Sequence, residues 1–92
     1  MKIKLKINDE FRIDDLLIKV IEITIKRALV DLETGLGDDV LRVTLRMKRG
    51  DKENDIDLFK EYVNDKPVTS FEGYEITMIY GDEKSVELDI NK

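Results

Sequence analysis

Apolar and polar residues alternate with a period of two over much of this chain. Met1, Ile3, Leu5 and Ile7 are interleaved with Lys2, Lys4 and Lys6, the pattern of a strand with one face buried. Asn8-Asp9-Glu10 then supplies a turn. The alternation returns from Val40 to Lys48, where Val43, Leu45 and Met47 face one side and Arg42, Thr44, Arg46 and Lys48 the other. It returns again after Glu72-Gly73, in Tyr74, Ile76, Met78 and Tyr80. Beyond the turn Gly81-Asp82-Glu83-Lys84 it resumes in Val86, Leu88 and Ile90. The last two runs predict a hairpin with Tyr74 and Tyr80 on its inward face.

Residues 11–33 support two readings. Asp15, Lys19, Glu22, Lys26 and Glu33 would form a polar stripe on a helix over about 14–33, with Gly35 past its end. Against it, Ile18, Val20, Ile21, Ile23, Thr24 and Ile25 are β-branched, and such side chains suit a pleated surface better than a helix. The strand reading is the stronger. It needs a bulge or burial on both faces at Val20-Ile21, where the alternation slips. Phe11-Arg12-Ile13 then reads as a short strand entering a turn at Asp14-Asp15, and Ala28, Val30 and Leu32 as a further strand. Residues 33–39 read as a loop, and Gly50 to Glu53 as a turn.

A short helix is expected from about Asp55 to Asn64, capped by Asn54, with Ile56, Phe59 and Val63 on its apolar side and Tyr62 at the rim. The fold class is therefore β-rich α+β: a mostly antiparallel sheet or small partly open barrel with one short helix. The alternative is a two-layer βαβαββ domain with the long helix at 14–33. No linker or repeat divides the chain, so residues 1–92 are expected to form a single domain.

Composition changes this picture mainly at the surface. Charged residues make up 40% of the chain against 41% hydrophobic, which describes a folded domain with a densely charged exterior. The net charge of −5 is unevenly spread: residues 1–49 carry 11 basic and 9 acidic side chains, residues 50–92 carry 5 and 12. Such a balance disfavours non-specific contact with nucleic acid or anionic membrane. The opening MKIKLKI lacks the unbroken apolar stretch of a secretion signal. The most apolar stretch, 16–25, is interrupted by Lys19 and Glu22 and is too short to span a bilayer. A cytoplasmic protein without membrane contact is the expectation.

Histidine and cysteine are both absent, which removes the commonest proton-transfer side chain, the thiol nucleophile and most zinc sites. Neither Ser70 nor Ser85 stands in a nucleophile elbow. Gly35-Leu36-Gly37 is followed by two aspartates that would repel phosphate. Asp51, Glu53, Asp55 and Asp57 lack the central glycine and distal glutamate of a calcium loop. We therefore expect no catalytic residue, no metal and no cofactor.

Two surfaces compete as binding sites. Asp51, Glu53, Asp55, Asp57, Glu61 and Asp65, with Tyr62, form an acidic cluster suited to a basic surface on a protein partner. That makes a non-catalytic protein-interaction domain, such as a small inhibitor, adaptor or assembly subunit, the leading functional reading; a homodimer is left open. The alternative is a nucleic-acid-binding module using Lys2, Lys4 and Lys6 together with Arg42, Arg46 and Lys48, if those strands lie side by side. It lacks interleaved aromatics for base stacking. A third explanation is structural: a basic first strand pairing with Glu87 and Asp89 of the last.

Overall fold

The computed structural model describes residues 1–27, 39–61 and 64–92, with the backbone alone at Arg27 and Asp39. Eight strands follow in order: β1 (Lys2–Lys6), β2 (Glu10–Ile13), β3 (Leu16–Arg27), β4 (Asp39–Arg49), β5 (Lys52–Lys60), β6 (Val68–Phe71), β7 (Tyr74–Gly81) and β8 (Ser85–Asn91). They form two four-stranded antiparallel sheets, ordered β1-β8-β7-β6 and β2-β3-β4-β5. Among the described residues there is no helix. Among the described residues no helix is long and apolar enough to cross a membrane.

The period of two explains why the sheets stack. Leu16, Ile18, Val20 and Ile23 of β3, Leu41, Val43, Leu45 and Met47 of β4, and Leu58 of β5 point inward from one sheet. Leu5, Phe71, Tyr74, Ile76, Met78, Val86, Leu88 and Ile90 point inward from the other, and all join one core. A sheet hydrophobic on one face has to bury that face, and two such sheets satisfy each other. Their charged faces consequently look outward in opposite directions.

The long helix considered for 14–33 is absent from the described part of that segment. β3 runs straight through it, with the register shifting between Val20 and Glu22 so that Ile21 is the extra residue. Of the two ways to accommodate the broken alternation, a bulge or burial on both faces, the strand takes the bulge, and β2 pairs with β3 across Asp14-Asp15. The further strand at Ala28–Leu32 lies outside the described residues, as does the expected loop at 33–39 apart from Asp39, which instead begins β4.

The short helix expected from Asp55 is a correction. Residues 52–60 are β5, paired with β4 through a two-residue turn at Gly50-Asp51. The helical reading grouped Ile56 with Phe59, but the strand separates them: Ile56 and Leu58 turn inward, whereas Phe59 is 55% exposed. Tertiary pairing decided this. Gly50, at φ 63°, supplies the left-handed position that a tight hairpin needs, and the open edge of β4 captures the chain behind it. β6 is a second departure, four residues that hairpin onto β7 through Glu72-Gly73, both with positive φ.

Tyr80 is the third. The register of β7 shifts between Met78 and Tyr80, leaving Ile79 extra, so Tyr80 points outward and is half exposed while Tyr74 stays buried. The bulge turns Gly81 toward the other sheet, where the Leu41 side chain occupies the space a Cβ would need.

Candidate functional site

The two clusters read as rival binding surfaces meet each other on the outer face of β2-β3-β4-β5. Along β4, Lys48, Arg46 and Arg42 form a basic column; along β5, Glu53, Asp55 and Asp57 form an acidic one. Their register sets Lys48 opposite Glu53, Arg46 opposite Asp55 and Thr44 opposite Asp57. Arg46 grips Asp55 as a fork, its Nε donating to Oδ1 at 2.9 Å and its Nη2 to Oδ2 at 3.1 Å. Its Nε also lies 3.4 Å from Glu53. The Thr44 hydroxyl donates to Asp57 at 2.6 Å. On the other flank Arg42 reaches Glu22 and Thr24, both at 3.3 Å, and Lys19 lies 3.9 Å from Glu10. Opposite charges facing each other across antiparallel strands specify register, although each exposed pair contributes little alone.

The nucleic-acid arrangement required six cations on one surface. Lys2, Lys4 and Lys6 instead lie on β1, in the other sheet, on the opposite outer face of the sandwich. There Lys2 stands opposite Asp89 and Lys4 opposite Glu87, the pairing that the basic first strand and acidic last strand suggest. The N-terminal ammonium closes that edge, donating to Asp89 at 3.2 Å and to the Ile90 carbonyl at 2.9 Å.

The acidic cluster is only partly assembled. Glu53, Asp55 and Asp57 share the outer column of β5, alternating along an extended strand. Asp51 sits in the β4–β5 turn, while Glu61 and Asp65 follow the strand, the Asp65 carboxylate accepting the Glu61 N–H at 3.1 Å. Tyr62 lies outside the described residues. Alternate residues on one strand stand about 6.5 to 7 Å apart, too far to wrap one cation. Among the described residues no three histidines, cysteines or carboxylates are grouped to hold a metal ion.

A different end of this face carries an exposed aromatic side chain beside an open depression. The acidic column of β5 ends at Phe59, opposite Arg42. Phe59 joins Val40, Thr24, Lys26 and Arg42 around an open depression of about 340 Å³. The sequence reading placed Phe59 on the apolar side of a helix, and so missed it. The clue was available: in a strand, Phe59 continues the outward set Glu53, Asp55, Asp57.

At the opposite end of the sandwich Arg49 ties the sheets together. Its Nε meets the Asp15 carboxylate at 3.0 Å, its Nη1 donates to the Glu72 carbonyl at 2.6 Å, and its guanidinium lies 5.4 Å from the Tyr74 ring centre. The Tyr74 hydroxyl donates to Asp14 at 3.3 Å, and Lys92 approaches both the Tyr74 ring and Asp14. These contacts join the turns of both sheets, a structural role.

Four carboxyls are held below the ordinary value of 3.8: Asp15 by the Arg49 guanidinium, Asp55 by Arg46, Asp82 by the backbone N–H groups of Lys84 and Ser85, and Asp89 by the N-terminal ammonium. Because the folded values lie below the unfolded ones, ionised carboxylates favour the fold. That stability is fully present above about pH 5 and is lost as pH falls through the folded values. Urea midpoints from pH 7 to pH 2 should therefore fall steeply only on the acid side. Asp55→Asn should lower the neutral plateau and shallow the acid slope; an unchanged slope would count against the Arg46 fork.

Comparison of the chain with protein-family models, with curated proteins and with solved structures finds no match in any of the three.

Proposed function

We propose that this chain is a non-catalytic protein-binding domain that engages its partner through the outer side of β5, with Phe59 as the anchor. The observation that carries this reading is the exposure of Phe59. On a face whose charges are matched across strands, an aromatic ring 55% open to water stands at the rim of a depression. Large aromatic side chains dominate the energetics of protein interfaces. The neighbouring carboxylates of Glu53, Asp55 and Asp57 favour a partner that brings basic groups to the same strand, since complementary charge speeds encounter and rejects wrong partners.

The test uses the whole chain with a photo-crosslinking amino acid at position 59, and a control at Thr77 on the other outer face. Cross-linking in a nuclease-treated native extract should give one dominant protein adduct at 59 and none at 77. Phe59→Ser should leave the fold intact and weaken binding to that protein about 30-fold, the equivalent of removing one buried aromatic contact of about 2 kcal/mol. Unaltered binding by a folded Phe59→Ser variant would sink the reading, as would an adduct consisting of nucleic acid.

A further inference from the structure

The outer edge of β5 has more to offer than its side chains. Among the described residues β5 is the terminal strand of its sheet and pairs only with β4. Because Arg49 and Lys52 close a two-residue hairpin, they form a hydrogen-bonded pair, and the backbone groups of Lys52, Asn54, Ile56, Leu58 and Lys60 turn toward β4. Those of Glu53, Asp55, Asp57 and Phe59 turn to the free edge. Among the described residues they make no other backbone hydrogen bond. At nine residues β5 is the longest of the four edge strands. β1 is partly blocked, since the Lys6 N–H donates to the Asp9 carboxylate and the Lys6 carbonyl accepts the Asp9 N–H; β2 and β6 have four residues each.

An open edge of this length invites another strand, and its side chains say which. A second copy of β5 is a poor match. Any antiparallel register overlapping three or more of residues 53, 55, 57 and 59 sets one carboxylate directly against another, a destabilising arrangement. A strand with lysine or arginine at alternate positions would place each cation beside a carboxylate of the outer column. Its intervening residues would fall on the inner face, next to half-buried Ile56 and buried Leu58, where apolar side chains suit.

We infer that β5 recognises its partner by strand addition, accepting an extended segment in which basic and apolar residues alternate. This rests on the protein-binding reading above and names its mode. The four edge-facing N–H and C=O groups supply affinity without regard to sequence. The carboxylate column selects the segment and its register, and Phe59 takes an apolar side chain at the end of the strand.

Purified components test it separately from the identity of the natural partner. The isotope-labelled full chain is titrated with three capped heptapeptides: alternating Lys-Val, the same composition as a Lys block followed by a Val block, and alternating Glu-Val. Only the alternating basic peptide should perturb the amides of residues 53–59 and slow their hydrogen exchange by about tenfold or more, with the block peptide about tenfold weaker. Asp57→Pro is the decisive variant. Its N–H faces the edge, so the ladder to β4 survives, as proline is tolerated on edge strands, while strand addition is abolished. Asp57→Asn, which keeps the N–H, should bind a few-fold more weakly and with reduced salt dependence. The inference fails if the block peptide binds equally, if the perturbed amides lie away from β5, if folded Asp57→Pro binds normally, or if the chain protects these amides by pairing with itself.

Discussion

Leu45→Ala is expected to lower the unfolding free energy by about 3 kcal/mol, within the range for truncating a fully buried leucine. Leu45 is completely inaccessible and stands between Val20 of β3 and Ile56 of β5 in the register. The two outer strands of that trio are themselves fixed by the sheet ladder, so collapse into the vacated space is limited. For a domain of this size a loss of about 3 kcal/mol corresponds to a fall of about 15 °C in Tm. Since small domains hold only about 5 to 15 kcal/mol in total, the variant should stay folded at room temperature and melt early. Thermal and urea unfolding followed by circular dichroism would measure it. A cost below about 1 kcal/mol would show that the two sheets do not share the core described.

Gly81→Ala is expected to cost about 2 kcal/mol through overpacking, more than an alanine normally costs in a strand. The backbone at Gly81 is open to any residue, so the effect is steric. A Cβ there would lie 2.6 Å from Leu41 Cδ2, 3.4 Å from Met78 Sδ and 3.6 Å from Val86 Cγ1. This is the point at which the bulged β7 meets β4 of the opposite sheet. Leu41→Ala alone should cost about 2 to 3 kcal/mol by leaving a cavity. The double variant should recover about 1 kcal/mol relative to the sum, because the added methyl enters the space that Leu41 vacates. Strict additivity would mean that β7 and β4 do not pack together at Gly81.

Both expectations concern the inner faces, while the proposed binding surface is the outer side of β5. Phe59 and Asp57 are exposed positions on an edge strand, so their substitutions should change recognition with little change in melting. Arg46 needs more care. Its fork to Asp55 and its approach to Glu53 connect the central strand to the edge, so altering it would disturb both the carboxylates and the register.

How much of the site was legible follows from the same distinction. The acidic residues at 53, 55 and 57 are visible as a cluster, but the sequence reading divides them, with Glu53 in a turn and Asp55 and Asp57 opening a helix whose apolar side carries Phe59. Read with period two, the same residues give one column of three carboxylates ending in an aromatic. What no sequence pattern supplies is the identity of the facing strand. That acidic column lies against Arg46 and Lys48, so the two clusters that looked like competing surfaces neutralise one another in part. Conversely, Lys2, Lys4 and Lys6 are far from Arg42, Arg46 and Lys48 because they belong to different sheets, although all six occupy outward strand positions.

The amino-acid order by itself determined the parts governed by local periodicity and turn chemistry. It determined the strand at 2–6, the alternating strand in 40–48 and the hairpin formed by β7 and β8, and it marked the slip near Ile21 that a bulge or burial on both faces would accommodate. Pairing of the basic first strand with Glu87 and Asp89 was also legible, because opposite charges at matching intervals suit a shared ladder. Only the tertiary structure decided the rest. It made residues 52–60 a strand, because a tight glycine turn presented them to the open edge of β4 and the ladder outweighed a weak helical preference. It turned Tyr80 outward through a one-residue bulge, which sets Gly81 against the Leu41 side chain of the opposite sheet. It split the strands into two stacked sheets, because local alternation fixes which face of a strand is apolar but not which other face will cover it.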